Sequence, residues 1–259
     1  MILAVDIGNT NTVLGLLDGR DVRHHWRIST DSGRTADEIA TQVDQLLRID
    51  SISPALVEAS VMCSVVPNLT EPWRKTLRRF LEADPLIVTS QVPLPIKIDV
   101  DIPEQVGTDR IANAVGANVR VGGPALVLDC GTATNIDVID ANGNYVGGVI
   151  LPGPEISAEA LATKAAALPR ITMERPERVI GRNTIACMQS GLFHGFMGAI
   201  ERLIDGVRGE LGAPDCPVLT TGGLGAVIAR ESNRIHSHEA WLTLEGLAAI
   251  LEHGQKNAG

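Results

Sequence analysis

The chain has 259 residues, of which 44% are hydrophobic and 20% are charged, and its formal net charge at pH 7 is −9. This composition predicts a globular protein with one large domain or two of about 130 residues each. The acidic balance disfavours sequence-independent binding to nucleic acid, which needs a basic surface. No stretch approaches the roughly 18 apolar residues that a membrane span requires, so no membrane partner is expected.

The cysteines and the N-terminal segment predict a cytoplasmic protein. The four cysteines are scattered without metal-ligand or redox spacing, and reduced, mostly buried thiols are therefore expected. They are Cys63, Cys130, Cys187 and Cys216. The apolar N-terminus lacks a basic leader and contains Asp6 and Asn9, so a signal peptide is not expected.

The first half of the chain predicts three strands and then alternating helices and strands. A capping box of Thr35 and Glu38 predicts the start of the first helix. That helix would place on one face Ile39, Val43, Leu46 and Leu47. The expected elements are strands near 2–6, 12–18 and 22–28, the capped helix, a strand near 56–62, a helix near 69–82, a strand near 86–89, a loop from 91 to about 107, and a helix from about 109 to 120.

The second half predicts the same order, and two duplicated α/β domains, 1–121 and 122–259, are expected with a cleft between them. The elements are strands near 125–129, 135–140 and 145–150, helices near 156–167 and 184–211, a strand near 217–221, a short helix and a last helix near 243–252. The long helix carries an apolar stripe of Ile185, Met188, Leu192, Phe196, Ile200, Leu203, Val207 and Leu211. Residues 253–259 are expected to fray.

A repeated motif is the most informative feature of the chain. The segment from Leu3 to Thr12 and the segment from Leu126 to Asn135 both contain an apolar run, Asp-x-Gly, and small hydroxyl or amide side chains. An acid at a strand end, beside a glycine that lets a phosphate approach the backbone, suits nucleotide and metal binding. Each turn alone could equally be a hairpin whose side chains satisfy its own amides. The duplication favours the functional interpretation.

Three further segments have both an ordinary and a functional interpretation. Gly107-Thr108-Asp109-Arg110 at a helix start is consistent with helix capping, or with a site for an anionic substrate and a base. Gly222-Gly223 could accept an adenosine ring or simply connect a strand to a helix. Asn183-Thr184 is explained by an N-cap. The chain has only four lysines and no P-loop motif, so phosphate chemistry of the P-loop type is not expected.

Together these segments resemble the superfamily of hexokinase, actin, acetate kinase and the heat-shock ATPases, and more narrowly the type III pantothenate kinases. The similarity runs nearly end to end. The matching segments are 6–12, 106–110, 129–134, 147–153, 183–184, 221–223 and 242–247. The resemblance implies two ribonuclease H-like (actin-like ATPase) domains and an enzyme that phosphorylates pantothenate from ATP, in the first committed step towards coenzyme A.

The resemblance also implies roles for individual residues. The ATP phosphates, with Mg²⁺ on Asp6, would be held by Asp6, Ile7, Gly8, Asn9, Thr10, Asn11, Thr12 and Val13. Asp109 would accept the proton of the pantothenate hydroxyl. The pantothenate pocket would be lined by Gly107, Thr108, Asp109, Arg110 and Thr184. Asp129 would bind a monovalent cation, K⁺ or NH₄⁺, and Thr132 would contact ATP. Members of the family are homodimers.

Three positions depart from the family pattern. Val100 replaces a usual tyrosine, Thr108 a usual alanine and Asn135 a usual threonine. These changes bear on substrate affinity more than on reaction type, because none removes a charged group. Two alternatives remain open: a related kinase or phosphatase for a sugar or acyl substrate, and a catalytically silent nucleotide-binding regulator.

Overall fold

The computed structural model describes residues 1–258 and contains two five-stranded sheets of the same topology. The first sheet has the order β3-β2-β1-β4-β5, formed by β1 (Ile2–Ile7), β2 (Asn11–Asp18), β3 (Asp21–Ser29), β4 (Ala59–Ser64) and β5 (Leu86–Ile87). The second has the order β10-β9-β6-β7-β8, formed by β6 (Ala125–Cys130), β7 (Ala133–Ile139), β8 (Tyr145–Pro152), β9 (Val218–Thr221) and β10 (Ser237–His238). The helices are α1 (Ala36–Ile49), α2 (Pro67–Leu81), α3 (Thr108–Val121), α4 (Pro154–Lys164), α5 (Thr184–Leu211), α6 (Gly225–Glu231) and α7 (Leu242–Ala258).

Each sheet begins with a hairpin and continues with a parallel strand. β1 pairs antiparallel with β2 and parallel with β4, and β6 pairs antiparallel with β7 and parallel with β9. The predicted duplicated α/β fold class is confirmed by these two sheets.

The first core forms where the sequence pattern predicts it. Thr35 Oγ1 accepts a hydrogen bond from Glu38 N at 3.4 Å, and Glu38 Oε2 accepts one from Thr35 N at 2.8 Å, which confirms the capping box. α1 and α2 then bury the apolar faces that face the sheet, namely Ile39, Val43, Leu47, Leu69, Trp73 and Leu77.

In the second half, α5 spans residues 184–211 as predicted and covers one face of its sheet. Most of the predicted stripe is buried or packs against the core, but Ile185 is 50% exposed. Ile185 lies in the first turn of α5, before Met188, the first buried residue of this helix.

The chain divides into two compact units. One comprises Met1–Gly122, Gly143–Tyr145 and the residues from Trp241 onward, and the other comprises Gly123–Asn142 and Val146–Ala240. The division into domains 1–121 and 122–259 remains a prediction. The helix α7, which this division assigns to the second domain, packs within the first compact unit.

Small residues allow α7 to pack closely on α3. A Cβ at Gly116 would lie 2.6 Å from the carbonyl oxygen of Leu242, and one at Gly246 would collide with the carbonyl of Ala112.

α7 continues to Ala258, so the predicted fraying from residue 253 is wrong as far as residue 258, and Gly259 lies outside the described residues. The polar composition of this segment suggested a free end, but the helix is anchored by its buried first half and contains no proline that would end it. Within residues 1–258, no helix combines the length and the hydropathy of a membrane span.

Candidate active site

The first acidic turn projects polar groups beyond the edge of the sheet. Asp6 lies one residue before the end of β1, beside Val13 of β2 and Cys63 of β4. Gly8 N donates to the carbonyl oxygen of Asn11 at 3.1 Å, which closes the turn. The residues from Asn9 to Asn11 are exposed at the tip of the turn.

Other residues of this segment hold the turn in place. Ile7 is fully buried in the core, and Thr12 is buried with its hydroxyl 2.9 Å from that of Thr30. A Cβ at Gly8 would lie 2.9 Å from Asn11 O, closer than real Cβ contacts, so the tight turn depends on glycine here.

Cys63 contacts the first of the two predicted acids and lies near the second. Its Sγ donates to Asp6 Oδ1 at 3.3 Å. Burial raises the pKa of the Cys63 thiol well above its ordinary value, and the charges of Asp6 and Asp109 raise the pKa further. The thiol therefore stays protonated and acts as a donor. The sequence alone did not indicate this role, because Cys63 stands near the end of a strand, β4, that has no motif of its own.

Asp109 is the second residue of α3, two positions after the N-cap residue Gly107. Its Oδ1 accepts a hydrogen bond from Arg110 N at 2.8 Å. Burial raises the pKa of the Asp109 carboxyl, while the Arg110 N–H and the guanidinium charge oppose that shift. A Cβ at Gly107 would lie 2.6 Å from Oδ1, so glycine leaves the space that the carboxylate occupies.

The neighbours of Asp109 are held by different contacts. Thr108 Oγ1 lies 3.1 Å from both the backbone nitrogen and the carbonyl oxygen of Ser64. The guanidinium carbon of Arg110 lies 5.8 Å from the ring centre of Tyr145, a buried side chain. This cation–π contact orients Arg110.

The second acidic turn belongs to the other unit. Asp129 lies beside Asn135 of β7 and Thr221 of β9. Gly131 N donates to the carbonyl oxygen of Ala133 at 3.1 Å, and Thr132 at the tip is exposed. The Thr132 carbonyl accepts a hydrogen bond from Gly153 N at 3.1 Å, which ties the turn to the end of β8.

Gly222 borders the second turn. Its φ is +80°, and a Cβ there would lie 2.6 Å from Asp129 Oδ1 and 2.8 Å from the carbonyl oxygen of Cys130. The close approach of the Asp129 carboxylate and the Cys130 carbonyl to residue 222 therefore depends on glycine.

The remaining predicted positions lie at the surface or next to the turns. Thr184 is exposed at the first residue of α5, where Asn183 Oδ1 accepts a hydrogen bond from Ala186 N at 2.9 Å. Of the departures from the family pattern, Asn135 is the cross-strand neighbour of Asp129, and Val100 is partly buried in the segment before α3.

Within the first unit, the structure brings Asp6, Thr108 and Asp109 together around the end of β4. Within the second, it brings Asp129 and Gly222 together. No cluster of three or more His, Cys, Asp or Glu side chains suited to a metal occurs among residues 1–258. The carboxylate of Asp6, near the end of β1, is an oxygen donor of the kind that Mg²⁺ takes together with water and a substrate phosphate.

Comparison with known proteins agrees with this geometry. A type III pantothenate kinase of Paramagnetospirillum magneticum is 46% identical over 251 residues, covering 96% of both chains. The solved structure described as a conserved Baf family transcriptional activator from Campylobacter jejuni has a TM-score of 0.60 at 19% identity, covering 98% of this chain and 99% of the other. An activator of 2-hydroxyisocaproyl-CoA dehydratase from Clostridium difficile, with bound ADPNP, has a TM-score of 0.57 at 13% identity, covering 99% and 97%.

These two structures share the fold. The family model for type III pantothenate kinase matches residues 2–206. With that match and the 46% identity to a full-length relative, the chain belongs to the type III pantothenate kinase family.

Proposed function

We propose that this chain transfers the γ-phosphoryl group of ATP to the hydroxyl of pantothenate, forming 4′-phosphopantothenate at the first step of coenzyme A biosynthesis. The observation that carries the proposal is that both acids are held at the end of β4. Cys63 Sγ donates to Asp6 Oδ1, and the backbone of Ser64 bonds to the hydroxyl of Thr108, the residue before Asp109. A phosphate-binding turn and a base are then held by neighbouring elements, as an in-line transfer requires.

The turn from Asp6 to Val13 is the proposed site for the ATP phosphates. Its exposed amides and hydroxyls can donate to phosphate oxygens, and the Asp6 carboxylate supplies an oxygen ligand of the kind that Mg²⁺ prefers. Mg²⁺, when bound with ATP, neutralises charge on the transferring phosphoryl group.

Asp109 is the proposed base. Its carboxylate would accept the proton of the pantothenate hydroxyl, and burial raises its pKa and thus its basicity. Gly107, Thr108, Arg110 and Thr184 would line the pantothenate pocket. The guanidinium of Arg110 offers a forked donor that matches the carboxylate of pantothenate.

Asp129 is the proposed ligand of a monovalent cation, K⁺ or NH₄⁺, and Thr132 the proposed contact with ATP. The Asp129 carboxylate and the Cys130 carbonyl both lie close to Gly222, and each would offer an oxygen ligand of the kind that such a cation takes. Carbonyl oxygens replace the hydration shell of K⁺ in other protein sites.

We further infer a cytoplasmic homodimer. An apolar groove of about 670 Å³ lies between α4 and α5, and its walls include Leu161, Leu192 and Phe196. Gly191 and Gly195 on the same helix have open space around them, which would allow close approach of another helix. A second copy of the chain is the proposed occupant, and size measurement in solution tests it.

The function is tested by ADP release with ATP and Mg²⁺, with and without pantothenate, first in Na⁺ and then with added K⁺ or NH₄⁺. Pantothenate-dependent turnover that rises with the added cation supports both the reaction and the cation site. Turnover with a sugar or acyl acceptor in place of pantothenate would indicate a related kinase. ATP binding without ADP release would indicate a silent regulator.

Asp109→Asn tests the base. The amide can still accept the hydrogen bond from Arg110 N, but it cannot take a proton, so kcat should fall by about 10²- to 10⁴-fold while ATP still binds. Near-normal turnover would remove Asp109 from the mechanism.

The pH dependence follows from the raised pKa of Asp109. The base works only when deprotonated, so kcat/KM should fall as pH decreases through that pKa, at a higher pH than for an exposed aspartate. The folded state binds this proton more tightly than the unfolded state does, so the group makes the protein less stable as pH rises past its pKa. Asp109→Asn should therefore raise the melting temperature at neutral pH, and an unchanged value would contradict the raised pKa.

A further inference from the structure

The hydroxyl of Thr108 contacts the backbone of Ser64, the last residue of β4. Oγ1 accepts a hydrogen bond from Ser64 N and donates one to Ser64 O, both at 3.1 Å. A hydroxyl has a single hydrogen to donate, and here that hydrogen is used by the Ser64 carbonyl. Thr108 therefore has no hydrogen left to donate to a substrate.

The segment that receives Thr108 is itself held in place. Beyond the end of β4, Val65 N donates to the carbonyl oxygen of Ile7 at 3.0 Å, which continues the pairing with β1. Ser64 Oγ donates to the carbonyl oxygen of Val66 at 3.1 Å and accepts from its N–H at 3.2 Å. We call residues 63–66 the β4 terminus.

The β4 terminus contacts one proposed functional group directly and the other through Thr108. Cys63 Sγ donates to Asp6 Oδ1, and Thr108 immediately precedes Asp109. The two hydrogen bonds of the Thr108 hydroxyl therefore link the first turn of α3 to the strand that contacts Asp6. An alanine at this position could not form this link.

We propose that Thr108 is a positioning residue for phosphoryl transfer: its hydroxyl bridges both backbone groups of Ser64 and fixes the Asp109 carboxylate relative to the phosphate-binding turn. The inference rests on the proposed function and deepens it. Small displacements of a catalytic group have large effects on rate, because the reacting atoms must stay within near-attack distance.

Thr108→Val is the principal test. Valine keeps the size and branching of threonine but leaves the N–H and C=O of Ser64 without a partner and blocks water from replacing the hydroxyl. We expect kcat to fall by about 10- to 100-fold, with KM for pantothenate and for ATP changed by less than about threefold. Thr108→Ser, which keeps the hydroxyl, should retain most of the activity, and Thr108→Ala should be intermediate because water can enter.

A double-mutant cycle separates positioning from a general loss of activity. If Thr108 acts through Asp109, then Thr108→Val should cause little further loss in single-turnover rate when Asp109 is already Asn. Multiplicative losses in the double variant would show that the two residues act independently, and would overturn the proposal.

Thr76→Val is a matched control. Thr76 is also buried in the first unit, and its hydroxyl donates one hydrogen bond, to the carbonyl oxygen of Ala36 at 2.9 Å. This variant should lower the melting temperature without changing kcat. If Thr108→Val does not fold, the comparison of Thr108→Ala with Thr108→Ser decides the same question.

Two outcomes count against the inference. A raised KM for pantothenate with unchanged kcat in Thr108→Val would mean that the hydroxyl binds the substrate, and wild-type values for both constants would mean that the bridge is irrelevant to turnover. A failure of the proposed function itself is distinguished from both, because the wild-type chain would then release no ADP in response to pantothenate.

Discussion

The two acidic turns occupy equivalent places in sheets of the same topology, yet their neighbours differ. Asp6 lies beside Cys63 on the parallel strand β4, and Asp129 lies in the same register beside Thr221 on β9. The next residues along those strands are Ser64 and Gly222. The first strand therefore continues with a side chain beyond the acid, and the second continues with glycine.

This difference indicates how one duplicated motif can serve two ligands. Around Asp6, the thiol of Cys63 and the brace from Thr108 keep the acid and the neighbouring helix in fixed positions. Around Asp129, glycine at position 222 lets the carboxylate and the Cys130 carbonyl approach the backbone closely. The proposed ligands, a phosphate chain with Mg²⁺ at the first turn and a monovalent cation at the second, would meet these different surroundings.

Gly222→Ala is expected to have the largest effect on stability and on cation activation, because it adds a side chain at the crowded edge of the second turn. The new Cβ would meet both Asp129 Oδ1 and the Cys130 carbonyl, and φ of +80° adds backbone strain. We expect the free energy of unfolding to fall by about 2–4 kcal/mol and the activation by K⁺ or NH₄⁺ to be lost. Denaturant unfolding and initial rates with and without the cation measure these effects.

Gly212→Ala is the control for backbone strain. Gly212 ends α5 with φ of +61°, but nothing lies within 4 Å of its Cβ position. Only the conformational cost of about 1 kcal/mol is expected, with normal cation activation. Equal losses of stability and of cation activation in the two variants would show that the contact with Asp129 is not the reason why glycine is needed at position 222.

A pair of substitutions at corresponding positions compares the turns directly. A Cβ at Gly8 would lie 2.9 Å from Asn11 O, whereas one at Gly131 would lie 3.5 Å from Ala133 O, an ordinary contact. Gly8→Ala should therefore open the first turn and raise KM for ATP by about tenfold, while Gly131→Ala should stay within about twofold. Initial rates over a range of ATP concentrations test this, and greater damage from Gly131→Ala would contradict the difference between the turns.

The sequence allowed prediction of the elements that depend on local patterns. The bounds of α5, the capping box of α1 and the two hairpins follow from periodicity, cap residues and Asp-x-Gly turns. The site residues remain predictions, but the contacts that hold them depend on distant segments. Thr108 and Ser64 are 44 residues apart, and no local pattern encodes the register that brings them together.

A similar limit applies to α7 and to Cys63. Helical periodicity located the last helix, but its packing on α3 depends on glycines, Gly116 and Gly246, whose use as contact points cannot be inferred from the sequence alone. Cys63 is buried, as expected for most of the thiols, but its contact with Asp6 follows from the parallel pairing of β1 with β4, which β2, β3 and α1 separate along the chain.

The smallest effect is expected at Cys63, whose thiol donates a hydrogen bond to the acid of the first turn. Cys63→Ala removes the hydrogen bond to Asp6, and Cys63→Ser keeps a donor. Because a thiol is a weak donor, we expect the alanine variant to raise KM for ATP and the half-saturating Mg²⁺ concentration by only about two- to fivefold, with the serine variant close to wild type.

Cys216→Ala is the matched control, since Cys216 is a buried thiol in the second unit. It should lower stability without altering the Mg²⁺ dependence. If Cys63→Ala behaved like this control, the thiol would only fill space beside Asp6. A shift confined to the Cys63→Ala variant would instead mean that the strand next to each acid, and not the shared Asp-x-Gly motif, determines what that turn binds.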